Sequence, residues 1–141
     1  MEVFINYWAV AIAAIASMFI GFVWYGPIFG KQWIALMGWR EEQMNAMKTR
    51  GGMIKLYGLA FVGSLVMSYA LAHTLVFSST YLGVSGLSAG AMAGFWSWLG
   101  FVAPVTLGSV LWEGKSWKLW FLNNAYYTVS LVVMGSILGV W

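Results

Sequence analysis

Residues 22–33 read FVWYGPIFGKQW, and they mark where a long apolar run meets the first basic residue of the chain, Lys31. Trp24 and Tyr25 are amphipathic rings of the kind that rest at a membrane–water boundary. Gly26-Pro27 follows. Proline has no N–H and its ring disfavours α geometry in the residue before it, so the spacing predicts that the helix stops here. Gly30-Lys31 is then a polar exit. Everything ahead of the stretch reads as a membrane span, and everything after it can be placed by counting crossings.

The composition agrees. A chain of 141 residues has the length of one domain. With 62% hydrophobic and 8% charged residues and a mean hydropathy of +0.80, it has too little polar surface to clothe a water-soluble globule. The net charge of +3 comes from seven basic residues without a dense cluster, a poor surface for phosphates, so no nucleic-acid partner is expected. Cysteine is absent, which removes disulfides, thiolate metal sites and cysteine nucleophiles together. The start Met1-Glu2 lacks a basic region and the apolar run continues past Ala13, Ala14 and Ala16, so it is expected to stay as a helix rather than be cleaved as a leader.

Four segments are long enough to cross a hydrocarbon core, which takes about 20 helical residues. They lie at about 3–25, 54–77, 88–112 and 117–140. Lipid offers backbone groups no partner, so each must be helical. The expectation is an all-α membrane protein: a single integral domain over 1–141, built as a four-transmembrane-helix bundle with a short amphipathic cytoplasmic helix between spans one and two. That helix covers about 40–50, with Met44 and Met47 turned to the membrane surface and Gly51-Gly52 ending it. Small residues recur every fourth position in the first span (Ala9, Ala13, Ser17, Gly21) and in the second (Ala60, Ser64, Ser68, Ala72). They allow close backbone approach. The uncharged stretch 78–87 reads as an external loop. The third span opens with Gly86, Gly90 and Gly94, a doubled GxxxG expected to form a contact between copies of the chain, the alternative being a contact with a helix of the same chain, and Pro104 should bend it by removing the bond to the Gly100 carbonyl. A short turn through Glu113 and Lys115 makes spans three and four an antiparallel hairpin, with Asn123 and Asn124 level with Thr106 to Ser109.

The stretches WYGPIFGKQW and LGSVLWEGKSWKLWFLNNAYYTVSLVVMGSILGVW resemble the small bacterial membrane proteins catalogued as domain of unknown function 1761. Trp24, Tyr25, Pro27, Gly30 and Trp33 carry the first part of the resemblance; Gly108, Ser109, Glu113 and Asn123 carry the second. The resemblance implies a membrane location and no particular activity.

Glu113 is the first acid to weigh, as a proton or cation relay or as part of a solvated hairpin clasp with Asn123, Asn124, Ser109 and Thr106. His73 could ligate a metal, but too few ligands accompany it, so a hydrogen-bonded interfacial histidine is expected. The chain has no Asp, which excludes a Ser/His/Asp triad, and Gly30-Lys31 lacks the spacing of a phosphate loop. Most aromatics fall at span ends, while Trp96, Trp98, Tyr126 and Tyr127 sit deeper, open to a ligand. No catalytic, metal or cofactor-binding set emerges. The leading expectation is a non-enzymatic multi-pass protein of the inner (plasma) membrane, contacting lipids and packing into a homo-oligomer or a larger membrane complex. The alternative is a small proton- or cation-coupled transporter or channel using Glu113 and Asn123.

All seven Lys and Arg lie in the two alternate loops after spans one and three or at their edges, so the positive-inside rule turns those loops to the cytoplasm and both termini outward. On intact cells, Ser79→Cys is therefore expected to take a membrane-impermeant thiol reagent and Lys48→Cys to resist it. Labelling at position 48 alone would reverse the orientation.

Overall fold

A computed structural model of the chain describes residues 3–49 and 51–141; the readings that rest on Met1, Glu2 and Arg50 lie outside the described residues. Four helices are long and apolar enough to cross a membrane, Tyr7–Ile28, Gly52–Leu82, Gly86–Leu111 and Trp117–Val140, so the protein is a multi-pass membrane protein. No strand occurs among the described residues. The first span is α1 (Tyr7–Val23) and a π-helical turn (Trp24–Ile28). Two short helices follow, α2 (Gly30–Met37) and α3 (Glu41–Thr49), then the long α4 (Gly52–Leu82). The third span is α5 (Gly86–Ser97), a second π-helical turn (Trp98–Val102) and α6 (Ala103–Leu111); α7 (Trp117–Val140) is the fourth.

Several ends differ from the sequence expectation, each for a local reason. The first helix starts at Tyr7 rather than near residue 3 because the Asn6 side chain accepts hydrogen bonds from the N–H groups of Trp8 (3.0 Å) and Ala9 (3.3 Å). That is a side-chain N-cap. The helix does not stop at Gly26-Pro27. It widens instead, with the Phe29 N–H bonding the Trp24 carbonyl at 2.9 Å, a five-residue step that carries the backbone past the missing proline donor. Where a bend is expected at Pro104, the helix likewise widens just ahead of the proline, with the Ala103 N–H reaching back to the Trp98 carbonyl. The stretch read as a loop from residue 78 is largely helical: Ser78 and Ser79 return their hydroxyls to the carbonyls of Thr74 (2.9 Å) and Val76 (3.0 Å), and the helix ends only at Gly83, φ 66°.

The centre of the bundle is α7, packed on α5, α1 and α4. Gly90 and Gly94 are buried against it. A Cβ built on Gly90 would overlap the Gly135 carbonyl, one on Gly94 the Leu131 carbonyl, and one on Gly139 the Gly86 carbonyl. The glycine face expected to join two copies is therefore internal, because α7 carries a complementary Gly135–Gly139 face that the sequence reading did not pair with it. Ala9, Ala13 and Ser17 of α1 are buried, as are Ser64, Ser68 and Ala72 of α4, and the Ser68 hydroxyl donates to the Val10 carbonyl at 3.0 Å. Ala60, at the end of the same stripe, is exposed. Ala13, Leu71, Leu131 and Met134 form the apolar core between these helices. Phe19, Val66, Phe101 and Val105 project outward, as lipid-facing positions do in a membrane span.

Gly90→Ala is expected to lower stability by about 1–3 kcal/mol, the usual cost of overpacking, because backbone rather than a movable side chain blocks the new methyl. A Cβ built on Gly63 would meet no neighbouring part of the described chain within 4 Å, and Gly63→Ala should raise stability by up to about 1 kcal/mol. Denaturation in detergent checks both; equal stability of the two variants would contradict the α5–α7 contact.

Candidate functional site

One turn of α7 collects hydrogen-bond donors from two other spans. The Trp24 indole N–H donates to the Leu122 carbonyl at 3.2 Å, and the Tyr25 hydroxyl donates to Asn123 Oδ1 at 2.8 Å. The Trp98 indole donates to Asn124 Oδ1 at 3.0 Å. Asn124 is buried, and its amide nitrogen donates to Thr106 Oγ1 (3.1 Å) and to the Trp120 carbonyl (3.0 Å). Thr106 passes its own hydrogen to the Val102 carbonyl at 2.8 Å. Every polar atom of the Asn124 amide is thus partnered, the condition under which burying it is tolerable. Each π-helical turn begins with the tryptophan that makes this contact.

Of the residues singled out from sequence, Asn123, Asn124 and Thr106 meet around this turn, but not as one hairpin clasp. Asn123 is engaged by Tyr25 of the first span. Ser109 bonds the Thr106 carbonyl (2.8 Å), and the turn is closed by backbone, the Lys115 N–H donating to the Ser109 carbonyl at 3.0 Å. Glu113 is exposed beyond the end of α6. His73 Nδ1 lies 2.9 Å from the Tyr69 carbonyl, with its ring edge-on to Tyr69 at 4.4 Å. No cluster of metal-ligating side chains occurs among the described residues.

Beside the Tyr25 contact lies a cleft of about 560 Å³. Its walls are Met18, Gly21 and Phe22 of α1, Met53, Leu56, Tyr57 and Ala60 of α4, and Tyr126 of α7. Tyr25 forms the hinge of an aromatic train, 5.1 Å from Tyr126 and 5.0 Å from Trp33, which is in turn 5.0 Å from Trp39. Gly30 makes this fold-back possible, since a Cβ there would come within 2.8 Å of the Tyr25 carbonyl. The roof is α3, which lays Met44 and Met47 over the opening and carries Lys48 at the rim. Left-handed glycines flank it, Gly38 at φ 68° and Gly51 at φ 61°. Methionine and aromatic walls adapt to irregular apolar shapes, and the volume falls in the ordinary range for small-molecule sites. A second cavity, about 270 Å³, lies at the opposite end of the bundle, lined by Asn6, Ala9, Ala72, Leu138 and Trp141 among others. The sequence marked Trp24, Tyr25, Pro27, Gly30 and Trp33 as an interface motif and left Tyr126 open to a ligand. That Tyr25, Trp33 and Tyr126 enclose a common space depends on the α1–α7 pairing, which no local pattern announces.

These features define an integral membrane protein with a methionine- and aromatic-lined cleft at the end that carries the basic residues. A family model described as a protein of unknown function (DUF1761) matches residues 8–139, and the chain belongs to that family. No curated protein and no solved structure matches it.

Asn124→Leu strands the Trp98 indole inside the bundle, and an unpaired buried donor costs about 1–3 kcal/mol. Asn123→Leu leaves Tyr25 beside an open cleft where water can replace the amide, so it is expected to destabilise less. Thermal denaturation in detergent should rank the two in that order; the reverse order would put the principal anchor at Asn123.

Proposed function

We propose that the chain is a non-enzymatic protein of the cell inner membrane that holds the apolar chain of a bilayer amphiphile in the basic-end cleft, as an accessory subunit beside other membrane proteins. The cleft is the observation that carries this reading. It is apolar along its walls, it lies at the end where a headgroup would sit, and among the described residues its one charged lining side chain is Lys48. A cation at the rim favours an anionic headgroup, by about 1 kcal/mol for a basic residue near the surface. The positive-inside rule supports setting this end toward the cytoplasm, with both termini outward. Association with a partner draws support from Gly58 and Gly63 on α4, where an added Cβ would meet no other part of the described chain within 4 Å, so that backbone is left open to another helix. A relay through Glu113 and Asn123 draws none, since Glu113 is exposed in the α6–α7 turn while Asn123 is bonded to Tyr25.

The protein released from mild detergent in a native mass spectrometer is expected to retain an amphiphile, enriched in anionic species relative to the membrane. Ala60→Trp should fill the cleft and abolish retention, and Lys48→Glu should remove the anionic preference while leaving retention intact. A wild-type protein that sheds all lipid as easily as Ala60→Trp would overturn the reading.

A further inference from the structure

The α1–α4–α7 seam has a cavity at each end. The basic-end cleft reaches Met18 on α1, Ala60 on α4 and Tyr126 on α7; the opposite cavity reaches Ala9, Ala72 and Leu138. On α4 and α7 a little over three turns separate them, about 18 Å, and on α1 the gap is shorter. Hydroxyls line that gap: Ser17 on α1, Ser64 and Ser68 on α4, and Ser130 on α7, all buried. No acidic, basic or histidine side chain falls between the two cavities on these helices.

Two of the hydroxyls are anomalous. Thr74, Ser78, Thr106, Thr128 and Ser136 return their hydrogens to the carbonyl one turn back, the ordinary way to satisfy a hydroxyl within a span. The hydroxyls of Ser17 and Ser130 are enclosed without any partner among the described residues. Buried unpaired polar groups mark places where water or another polar molecule sits. They lie near one level, because the Tyr126 hydroxyl, one turn from Ser130 on α7, points at the Ser17 carbonyl at 3.4 Å. The apolar side of the gap is shut by Ala13 and Met134, each fully buried.

We propose that this seam is a closed passage for a small uncharged polar solute of glycerol size or smaller, with Ser17, Ser68 and Ser130 forming its constriction. Hydroxyls in series offer such a solute hydrogen bonds in exchange for those it leaves in water, whereas an all-apolar constriction would exclude it by dewetting. The lack of fixed charge leaves an ion without compensation for its lost hydration. Met134, unbranched and flexible, is the side chain best able to swing aside and open the plug.

Reconstituted in liposomes and challenged with hypertonic glycerol, the wild-type protein is expected to speed re-swelling several-fold over protein-free vesicles without passing potassium. The Ser17→Ala/Ser130→Ala pair keeps the packing volume, so it should retain thermal stability while losing the added flux. If the serines serve only helix packing, the pair would leave flux unchanged, which overturns the proposal. Ser17→Cys, in a chain with no other cysteine, should conduct glycerol until a mercurial blocks it; flux insensitive to the mercurial would also overturn it. Wild-type vesicles no faster than protein-free ones, or vesicles that pass potassium, would do the same.

Discussion

Three donors from two separate spans converge on a single turn of α7: the indoles of Trp24 and Trp98 and the hydroxyl of Tyr25. In water each would be a modest contribution, since the solvent offers every group an alternative partner. Inside a bilayer the alternatives are few, and an unpartnered N–H carries most of its desolvation cost. Residues 122–124 therefore fix the axial position of the first and third spans on the fourth. A slip of either span by one turn would strand its tryptophan in an apolar layer.

The two prolines acquire their meaning from the same contacts. A proline inside a regular helix leaves a carbonyl unbonded and bends the chain at a place set by sterics alone. Here each proline is accompanied by a widened turn that opens on a tryptophan, Trp24 before Pro27 and Trp98 before Pro104. Widening rotates the helix face by a fraction of a turn. That rotation places an indole against α7 on both sides of the bundle, so the distortion serves to aim a side chain.

The spans were legible because they depend on run length and on the absence of charge, properties local to each segment. The hub was half legible: the level of Asn123 and Asn124 against Thr106 follows from counting back from the α6–α7 turn, and Asn124 does meet Thr106. Asn123 went to Tyr25, 98 residues away, and hydrophobic periodicity carries no information on which span lies beside which. The doubled GxxxG shows the same boundary. Three glycines one turn apart announce a close helix contact, but whether the partner is another copy or α7 is decided by Gly135 and Gly139, which read as ordinary span residues until the two helices are laid together.

The cleft has a physical origin in the uneven side-chain sizes along two helices. From the terminal end toward the middle, the facing positions are small, Ala9, Ala13 and Ser17 on α1 against Ala72, Ser68 and Ser64 on α4, and the backbones approach closely enough for a serine hydroxyl to reach a carbonyl. Toward the basic end the lining of the same seam mixes sizes, with Met18, Phe22 and Tyr25 beside Gly21 on the first span and Leu56 and Met53 beside Ala60 on α4. Bulky side chains set beside small ones on facing helices do not fill the space between them evenly. The space that opens is wider than the side chains bordering it can fill, and the connection through α2 and α3 closes over it from the aqueous side. Such a shape follows from sequence once α1 and α4 are known to be neighbours. The long connection between the first two spans supplies its cover: a tight turn would leave the basic end of the cleft open, and Met44 and Met47 without an apolar surface to rest on.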